Sequence, residues 1–458
     1  MDNPKRSPAF LFGYGVGDFG LNIYWNSLSL ILVFWYSDVV GLQPSEAGII
    51  FAVGVLWDAI SDPIVAFLAE RNRSRYGSYR PFILFGSFLL GATFVLLFWA
   101  PPWQGAALFV HLIFVHMLFR TSYTIVAVPY SALTARITYS SRERTDLSGV
   151  RMAFAFLGLL AISSFWFPLT RFFGSGQESS AAGSFYTAMV GACVATATLI
   201  VCFLSTKEKR LLGGANELAP NFIISLRRAI TKNRALRILL MLIFVNSAAG
   251  LSTSIPLAFY VEANGDTFAN KEVIFTTYAV IALLSVPFWT LMIRAFSKKK
   301  CWCFASASVV LFGLHLALFG PLVIHGVPTQ IVAMACGSSA FAVLTWAIIP
   351  DTVEYGQYIY GKRDEGATFG SVLFSQKVSQ AVTGLFIGQI LTWIGYDSVA
   401  DTQSADVAER IGLFLALAPA TLVLISALIV LYLPLNRATH KEMVDALSKS
   451  KSASEQGA

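Results

Sequence analysis

The sequence predicts an all-α protein that crosses a membrane with twelve helices, set out as two six-helix halves. Three observations lead there. Of 458 residues, 56% are hydrophobic and 13% charged, against about 25% charged in a soluble domain. The apolar residues gather into runs of roughly 20, the length a helix needs to cross the hydrocarbon core. Basic residues crowd into every second loop between those runs, as the preference of Lys and Arg for the cytoplasmic side demands.

The spans are expected near 10–36, 45–69, 81–101, 105–132, 149–172 and 183–205 in the first half. In the second half they are expected near 237–261, 271–295, 302–323, 328–352, 367–395 and 410–434. Residues 1–205 thus form one half and 237–435 the other, joined by a basic connector at 206–236. Within it, Phe222 to Ile230 alternates apolar and basic faces at helical spacing, which predicts a helix lying on the membrane surface. The tail, 436–458, is polar and rich in Ser and Lys, and is expected to be disordered beyond a short helix.

Arg71, Arg73, Arg75 and Arg80 follow span 2, Arg136, Arg142 and Arg144 follow span 4, and Lys298 to Lys300 follow span 8. The opposite loops hold only Arg171, Lys271 and Arg410. Both termini are therefore expected in the cytoplasm. The net charge of +7 is a topology signal; with no soluble basic face, a nucleic-acid partner is excluded. The five cysteines lie in spans or on the cytoplasmic side, where a disulfide framework does not form. No nucleophile–base set, metal-ligand cluster or sizeable soluble domain suggests an enzyme, and no cofactor is called for.

Few ionisable residues remain inside the spans: Asp18, Asp58, Asp62, Arg120 and Lys377, with Arg151 near the start of span 5 and Asp351 and Glu354 near the end of span 10. Each carboxylate at mid-membrane costs roughly 2.5–3.5 kcal/mol on insertion scales. Asp58 and Asp62 are four residues apart, so they share one helix face one turn apart. Their charges sum to −2; Lys377, if adjacent, leaves a deficit that one monovalent cation closes. Ser61, Thr124 and the Ala59 carbonyl, which Pro63 cannot engage, are candidate oxygen ligands for Na⁺. A proton on one carboxylate is the other way to close the count, and a structural salt bridge to Lys377 is the alternative to both.

Arg120 lies deep in span 4. It is either an anchor for the carboxylate or sulfate of an anionic substrate or the partner of a buried acid such as Asp18. Asn22, Thr124, Asp58 and Lys377 fall at comparable depth and are expected to converge on one cavity. Trp25 and Tyr123, and less directly Trp346, are candidates for stacking on a sugar ring; Gln376, beside Lys377, is a candidate hydroxyl partner.

Several stretches in order resemble one known family. They are Gly13-Tyr14-Gly15-Val16-Gly17-Asp18, Trp57-Asp58-Ala59-Ile60-Ser61-Asp62-Pro63, Val128-Pro129-Tyr130, Asp351-Thr352-Val353-Glu354-Tyr355-Gly356 and Lys362-Arg363-Asp364-Glu365-Gly366 ahead of Lys377. Together they are similar to the glycoside–pentoside–hexuronide:cation symporters, the melibiose-permease-like branch of the major facilitator superfamily. The resemblance implies a monomeric, alternating-access carrier in a bacterial inner membrane that couples a sugar or glycoside to Na⁺ or H⁺. It matches Asp58, Asp62 and Thr124 to the family's cation site, Lys377 to the lysine near it, and Arg151 to an arginine of the polar cavity. Asp18 joins the substrate group. Arg73, Arg75, Arg142, Arg144, Asp351, Glu354 and Arg363 are expected to form a cytoplasmic gate. The sequence departs from the melibiose pattern in the sugar half: Leu21-Asn22 replaces a Lys-Asp pair, and Ala127 and Ser131 replace an aspartate and a tryptophan. An anionic substrate such as a hexuronide is therefore expected. The alternative is a lysolipid or other amphiphile carrier, since relatives of the family move amphiphiles.

Overall fold

A computed structural model describes residues 8–435 and 443, apart from 73, 138–140, 209–226, 229, 266, 362–364, 399 and 401. Twelve long helices follow one another in it. In chain order they are α1 (Pro8–Ser27), α2 (Pro44–Arg71), α3 (Arg80–Leu97), α4 (Gly105–Ile137), α5 (Ser141–Phe173) and α6 (Ala181–Ser205). Then come α7 (Arg234–Ala263), α8 (Lys271–Ala295), α9 (Lys298–Phe319), α10 (Thr329–Tyr360), α11 (Glu365–Ile394) and α12 (Ala405–Leu431). Ten of them are long and apolar enough to cross a membrane on their own composition. The other two are α1, which passes into two π turns at Leu28–Leu32 and Trp35–Val39, and α11, which carries Gln376, Lys377, Gln380 and Gln389.

Helices dominate because a backbone in lipid must satisfy its own hydrogen bonds. Their ends show local causes. Pro44 opens α2 behind a Gln43/Glu46 capping box. The Ser180 hydroxyl accepts from the Gly183 N–H at the start of α6, and Ser297 does the same for Lys300 at the start of α9. Gly361, at φ 73°, ends α10 in the left-handed conformation open to glycine. Several helices run past the apolar stretches seen in the sequence; α4 and α10 reach Ile137 and Tyr360. Hydrophobicity marks only the part in hydrocarbon, whereas the helix continues into water. A two-stranded hairpin, Val323–Ile324 with Val327–Pro328, joins α9 to α10. Its turn residues His325 and Gly326 both have positive φ, 50° and 78°, the conformation that matches strand twist. Most of the expected connector helix at 222–230 and the tail lie outside the described residues.

The helices divide into two compact units that cut across the sequence halves. The first unit is Met1–Leu212 with Ser254–Ala279 and Ala381–Ile411; the second is Gly213–Thr253, Val280–Gln380 and Gly412–Ala458. In the first unit, α1 packs on α5 and α6, and α4 packs on α2 and α3. The outer ends of α2 and α11, away from the basic loops, meet through glycines: a Cβ at Gly388 would strike the Pro44 carbonyl oxygen, and one at Gly384 would strike the Phe51 ring. In the second unit the core surrounds Trp289, Trp302, Leu344 and Ile348. The two buried indoles are satisfied, Trp289 by the Cys336 carbonyl (2.8 Å) and Trp302 by the Ser426 hydroxyl (3.0 Å). Ser375 and Ser379 of α11 donate to the carbonyls of Leu240 and Phe244 on α7, tying those two helices.

Candidate functional site

The face that α2 presents to α4 holds Asp58, Ser61 and Asp62. The face that α4 returns holds His116, Arg120 and Thr124, each four residues apart and so aligned along one stripe. The helices can approach because residue 54 is glycine; a Cβ there would sit 2.6 Å from the His116 ring.

Across this contact the Arg120 Nη1 donates to Asp58 Oδ2 at 3.0 Å, with the two side chains 2% and 3% exposed. The Arg120 Nε donates to His116 Nε2 at 3.1 Å. A guanidinium only donates, so His116 accepts at Nε2 and carries its proton on Nδ1, which faces the Tyr36 hydroxyl at 3.4 Å. The rings of Trp25 and Phe51 stand 5.8 and 5.7 Å from the guanidinium carbon, close enough for cation–π attraction in a dry setting. One turn further along α2, Asp62 Oδ1 accepts from the Thr124 hydroxyl at 2.8 Å, and the Ser61 hydroxyl donates to Thr124 Oγ1 at 3.5 Å. Asp58, Ser61 and Thr124 are buried, and Asp62 is half-buried.

The structure therefore brings Asp58, Ser61, Asp62 and Thr124 together. Of the two roles the sequence left open for Arg120, the structure shows the pairing with a buried acid, and that acid is Asp58. His116 was not among the residues expected at this site. The i, i+4, i+8 spacing of His116, Arg120 and Thr124 was the signal that these three act together.

Asp18 belongs to a second polar knot, built from α1, α4 and α5. Arg151 grips it through Nε–Oδ2 (2.6 Å) and Nη2–Oδ1 (3.3 Å), Tyr130 donates to Oδ2 (2.7 Å), and Arg151 also reaches the Thr134 hydroxyl (3.2 Å). Tyr14 stacks on Tyr130 with centroids 4.7 Å apart. Asp18 and Arg151, expected as substrate ligands, thus engage each other and lock the first unit's helices. Asn22 donates to the Asp18 carbonyl of its own helix at 2.8 Å. Trp25 and Tyr123 lie 5.9 Å apart with rings tilted by 35°, beside the Arg120–Asp58 pair.

Trp346, Gln376 and Lys377 belong to the second unit: Trp346 is exposed on α10, and the other two are half-buried on α11. That unit contains a residue the sequence reading passed over. Asn246 in mid-α7 buries both atoms of its amide, and neither has a hydrogen-bond partner among the described residues. A lone amide inside the Phe244-Val245-Asn246-Ser247 stretch was its only signal.

Of the expected cytoplasmic gate, Arg73 and Arg363 lie outside the described residues, and Arg142 and Arg144 occupy the first turn of α5. Asp351 accepts from Lys298 Nζ at 2.6 Å, within its own unit, and Lys298 also donates to the Ala347 carbonyl. Arg75 bonds its neighbour Tyr76 at 2.7 Å, and Glu354 is half-buried on α10.

The larger surprise sits at the opposite end of the first unit. Lys271, 4% exposed, pairs with Glu262 and with Glu178 (3.2 Å), and Arg171 pairs with Glu178 and Glu272. The Lys271 ammonium lies 4.6 Å from the Phe34 ring centroid and 5.3 Å from that of Phe167. Nearby, Tyr396 donates to Asp38 Oδ1 at 2.6 Å. Burial pushes the Asp38 carboxyl up to about 7, against the pull of the Tyr396 hydrogen bond. Arg171 and Lys271 are two of the three basic residues on that side of the sequence, and their rarity was the available clue.

A family model described as MFS/sugar transport protein matches residues 13–437. The inner membrane symporter YicJ of Escherichia coli is 29% identical over 457 residues, covering 96% of this chain and 94% of its own. The glucuronide carrier protein homolog of the same species is 27% identical over 459 residues, covering 99% and 98%. Among solved structures, a bacterial homolog of the human lysosomal transporter Spinster aligns with a TM-score of 0.70 at 11% identity, over 93% of this chain and 97% of that one. That last likeness bears on the fold alone.

Proposed function

Because the chain belongs to the MFS/sugar transport protein family, whose model spans residues 13–437, we propose that it is a secondary active transporter. It carries a sugar or glycoside by alternating access and is driven by a monovalent cation, Na⁺ or H⁺, taken up at the Asp58/Asp62 face of α2. The observation that carries this reading is a second carboxylate, Asp62, one turn from the Asp58–Arg120 pair and hydrogen-bonded to Thr124. Such a group is costly in a membrane and is kept where ions move.

The mechanism follows from charge. Neutralising Asp62 lowers the cost of removing this face from water, so a loaded carrier closes more readily than an empty one. Cation and substrate then raise each other's affinity by the same factor, because coupling is reciprocal. Trp25 and Tyr123 offer ring faces to a sugar, while Asn22 offers its amide to a hydroxyl. The ion pairs of Arg171, Lys271, Glu178, Glu262 and Glu272 hold the outer end of the first unit shut. The protein works as a monomer in an inner membrane with both termini in the cytoplasm. A sugar acid is favoured as substrate by the relative named as a glucuronide carrier homolog and by the missing acidic groups at Asn22 and Ala127. The test is uptake of methyl glucuronide and methyl glucoside into vesicles under imposed Na⁺ and H⁺ gradients. Accumulation of either above equilibrium supports the reading. Equilibration without accumulation under both gradients removes cation coupling from it.

A further inference from the structure

We infer that a cavity at the outer end of the first unit is a lipid site: it takes the ethanolamine headgroup of a phospholipid, with the primary ammonium on Glu46 and over the Trp103 ring. This goes beyond the transport reading and does not depend on it.

The cavity measures about 480 Å³ and lies where the end of α1, the start of α2 and the α3–α4 loop come together. Its walls are rich in acceptors. Among the described residues that line it, Glu46 alone carries a charge. Glu46 Oε2 accepts from the Gln43 N–H at 3.1 Å, and no cation pairs with the carboxylate among the described residues. At the end of α1 the N–H groups of Val40, Gly41 and Leu42 turn back to the carbonyls of Trp35, Ser37 and Tyr36. The Val39 and Val40 carbonyls come after these and receive no N–H among the described residues. Pro101 and Pro102 in the α3–α4 loop have no N–H to offer. Trp103 adds an aromatic face. A carboxylate, carbonyls and an indole suit a cation. A primary ammonium brings three N–H donors for the oxygens, and its charge is drawn to the ring.

The place of the cavity says which ammonium. The apolar helices α3 and α4 end and begin at its rim, at Leu97 and Gly105, away from the basic loops. Trp99 and Trp103 are 37% and 47% exposed there, as aromatic residues are at headgroup depth. Further along α4, Ala107, Val110 and Phe114 are exposed on one face. A soluble amine has no use for that stripe, whereas acyl chains lie along it. The first turn of α4, which also lines the cavity, holds no acidic residue to repel the phosphate.

The test uses the full-length protein in nanodiscs of phosphatidylglycerol, to which phosphatidylethanolamine or phosphatidylcholine is added. The parent protein is expected to gain a saturable rise in melting temperature with phosphatidylethanolamine. It is expected to gain none with phosphatidylcholine, whose quaternary ammonium has no N–H for the carboxylate. Glu46→Gln removes the charge and keeps the bond to the Gln43 N–H, because Gln also serves at that position of a capping box. It is expected to lose the rise and, by native mass spectrometry, to retain fewer phosphatidylethanolamine molecules than the parent. Trp103→Leu is expected to need about 2–5 times more phosphatidylethanolamine for half the rise. Should Glu46→Gln fail to fold, Trp103→Leu and the two lipids on the parent protein decide. No rise in the parent overturns the inference. So does an equal rise in Glu46→Gln, which marks a general effect of the bilayer, or an equal rise with phosphatidylcholine. A saturable rise with free ethanolamine in phosphatidylglycerol alone overturns the lipid assignment in favour of a soluble amine.

Discussion

Replacing Lys271 with Met should open the outer end of the first unit. Lys271 is 4% exposed and joins Glu262 of α7 to Glu178 of the loop after α5, while its ammonium lies over Phe34 and Phe167. Unit charges about 4 Å apart attract by roughly 4 kcal/mol at an effective dielectric of 20. Burying the ammonium offsets much of that, and the glutamates, at 25% and 35% side-chain exposure, are partly screened. A net contribution of about 1–2 kcal/mol to the closed arrangement remains, equivalent to roughly a 5–30-fold change in the opening equilibrium. Methionine keeps the apolar stem and removes only the charge. The assay is maleimide labelling of a cysteine placed at Ala258, which is 0% exposed in the outer part of α7, with the five native cysteines replaced. When opening and closing are fast, the labelling rate follows the open population. Lys271→Met should label about 5–30 times faster, and Lys271→Arg close to the parent rate. An unchanged rate in Lys271→Met would refute the lock.

Asp38 makes closure pH-dependent. Its carboxyl sits near 7 when buried beside Tyr396, Glu262 and Lys271 and at its ordinary 3.8 when exposed. The closed form therefore holds a proton that the open form releases between those values, so closure weakens as pH rises toward about 7 and levels off above it. Labelling at Ala258→Cys, divided by the rate for a small free thiol at the same pH because the thiolate is the reacting form, should accelerate between pH 5 and pH 7, and Asp38→Asn should flatten that rise; a normalised rise that persists in Asp38→Asn points to another group. Gly54→Ala should push α2 from α4, because the new Cβ meets the His116 ring at 2.6 Å. An overpacking cost of about 1–3 kcal/mol and loss of concentrative uptake are expected. Normal uptake in that variant would mean that the Arg120–His116 register is unimportant.

Much of the fold was legible because lipid leaves a backbone few options. A run of apolar residues is a helix whatever its other features, and α2 through α10 and α12 declare themselves that way. α11 was legible despite Gln376 and Lys377 because the apolar residues on both sides of them make a run long enough to cross a membrane. The Asp58/Asp62 face was legible for the opposite reason: two acids in an apolar run stand out. What the sequence did not reveal was pairing between helices. Arg120 is as compatible with an open cavity as with Asp58 until the rotation of α4 against α2 is known, and Gly54 sets that closeness without announcing it. The Asp18–Arg151 knot and the Lys298–Asp351 pair escaped for the same reason. The outer lock escaped because its members fall at helix ends, where apolar patterning gives no signal.

The most direct test of cation-driven transport is accumulation by purified protein in vesicles, under an inward Na⁺ gradient and under an inward proton gradient, comparing wild type with Asp62→Asn. Methyl glucuronide and methyl glucoside serve as probes, and protein-free vesicles set the leak. The account predicts that wild type concentrates a probe above the equilibrium level while Asp62→Asn carries it only to equilibrium. Accumulation by Asp62→Asn equal to wild type would contradict it.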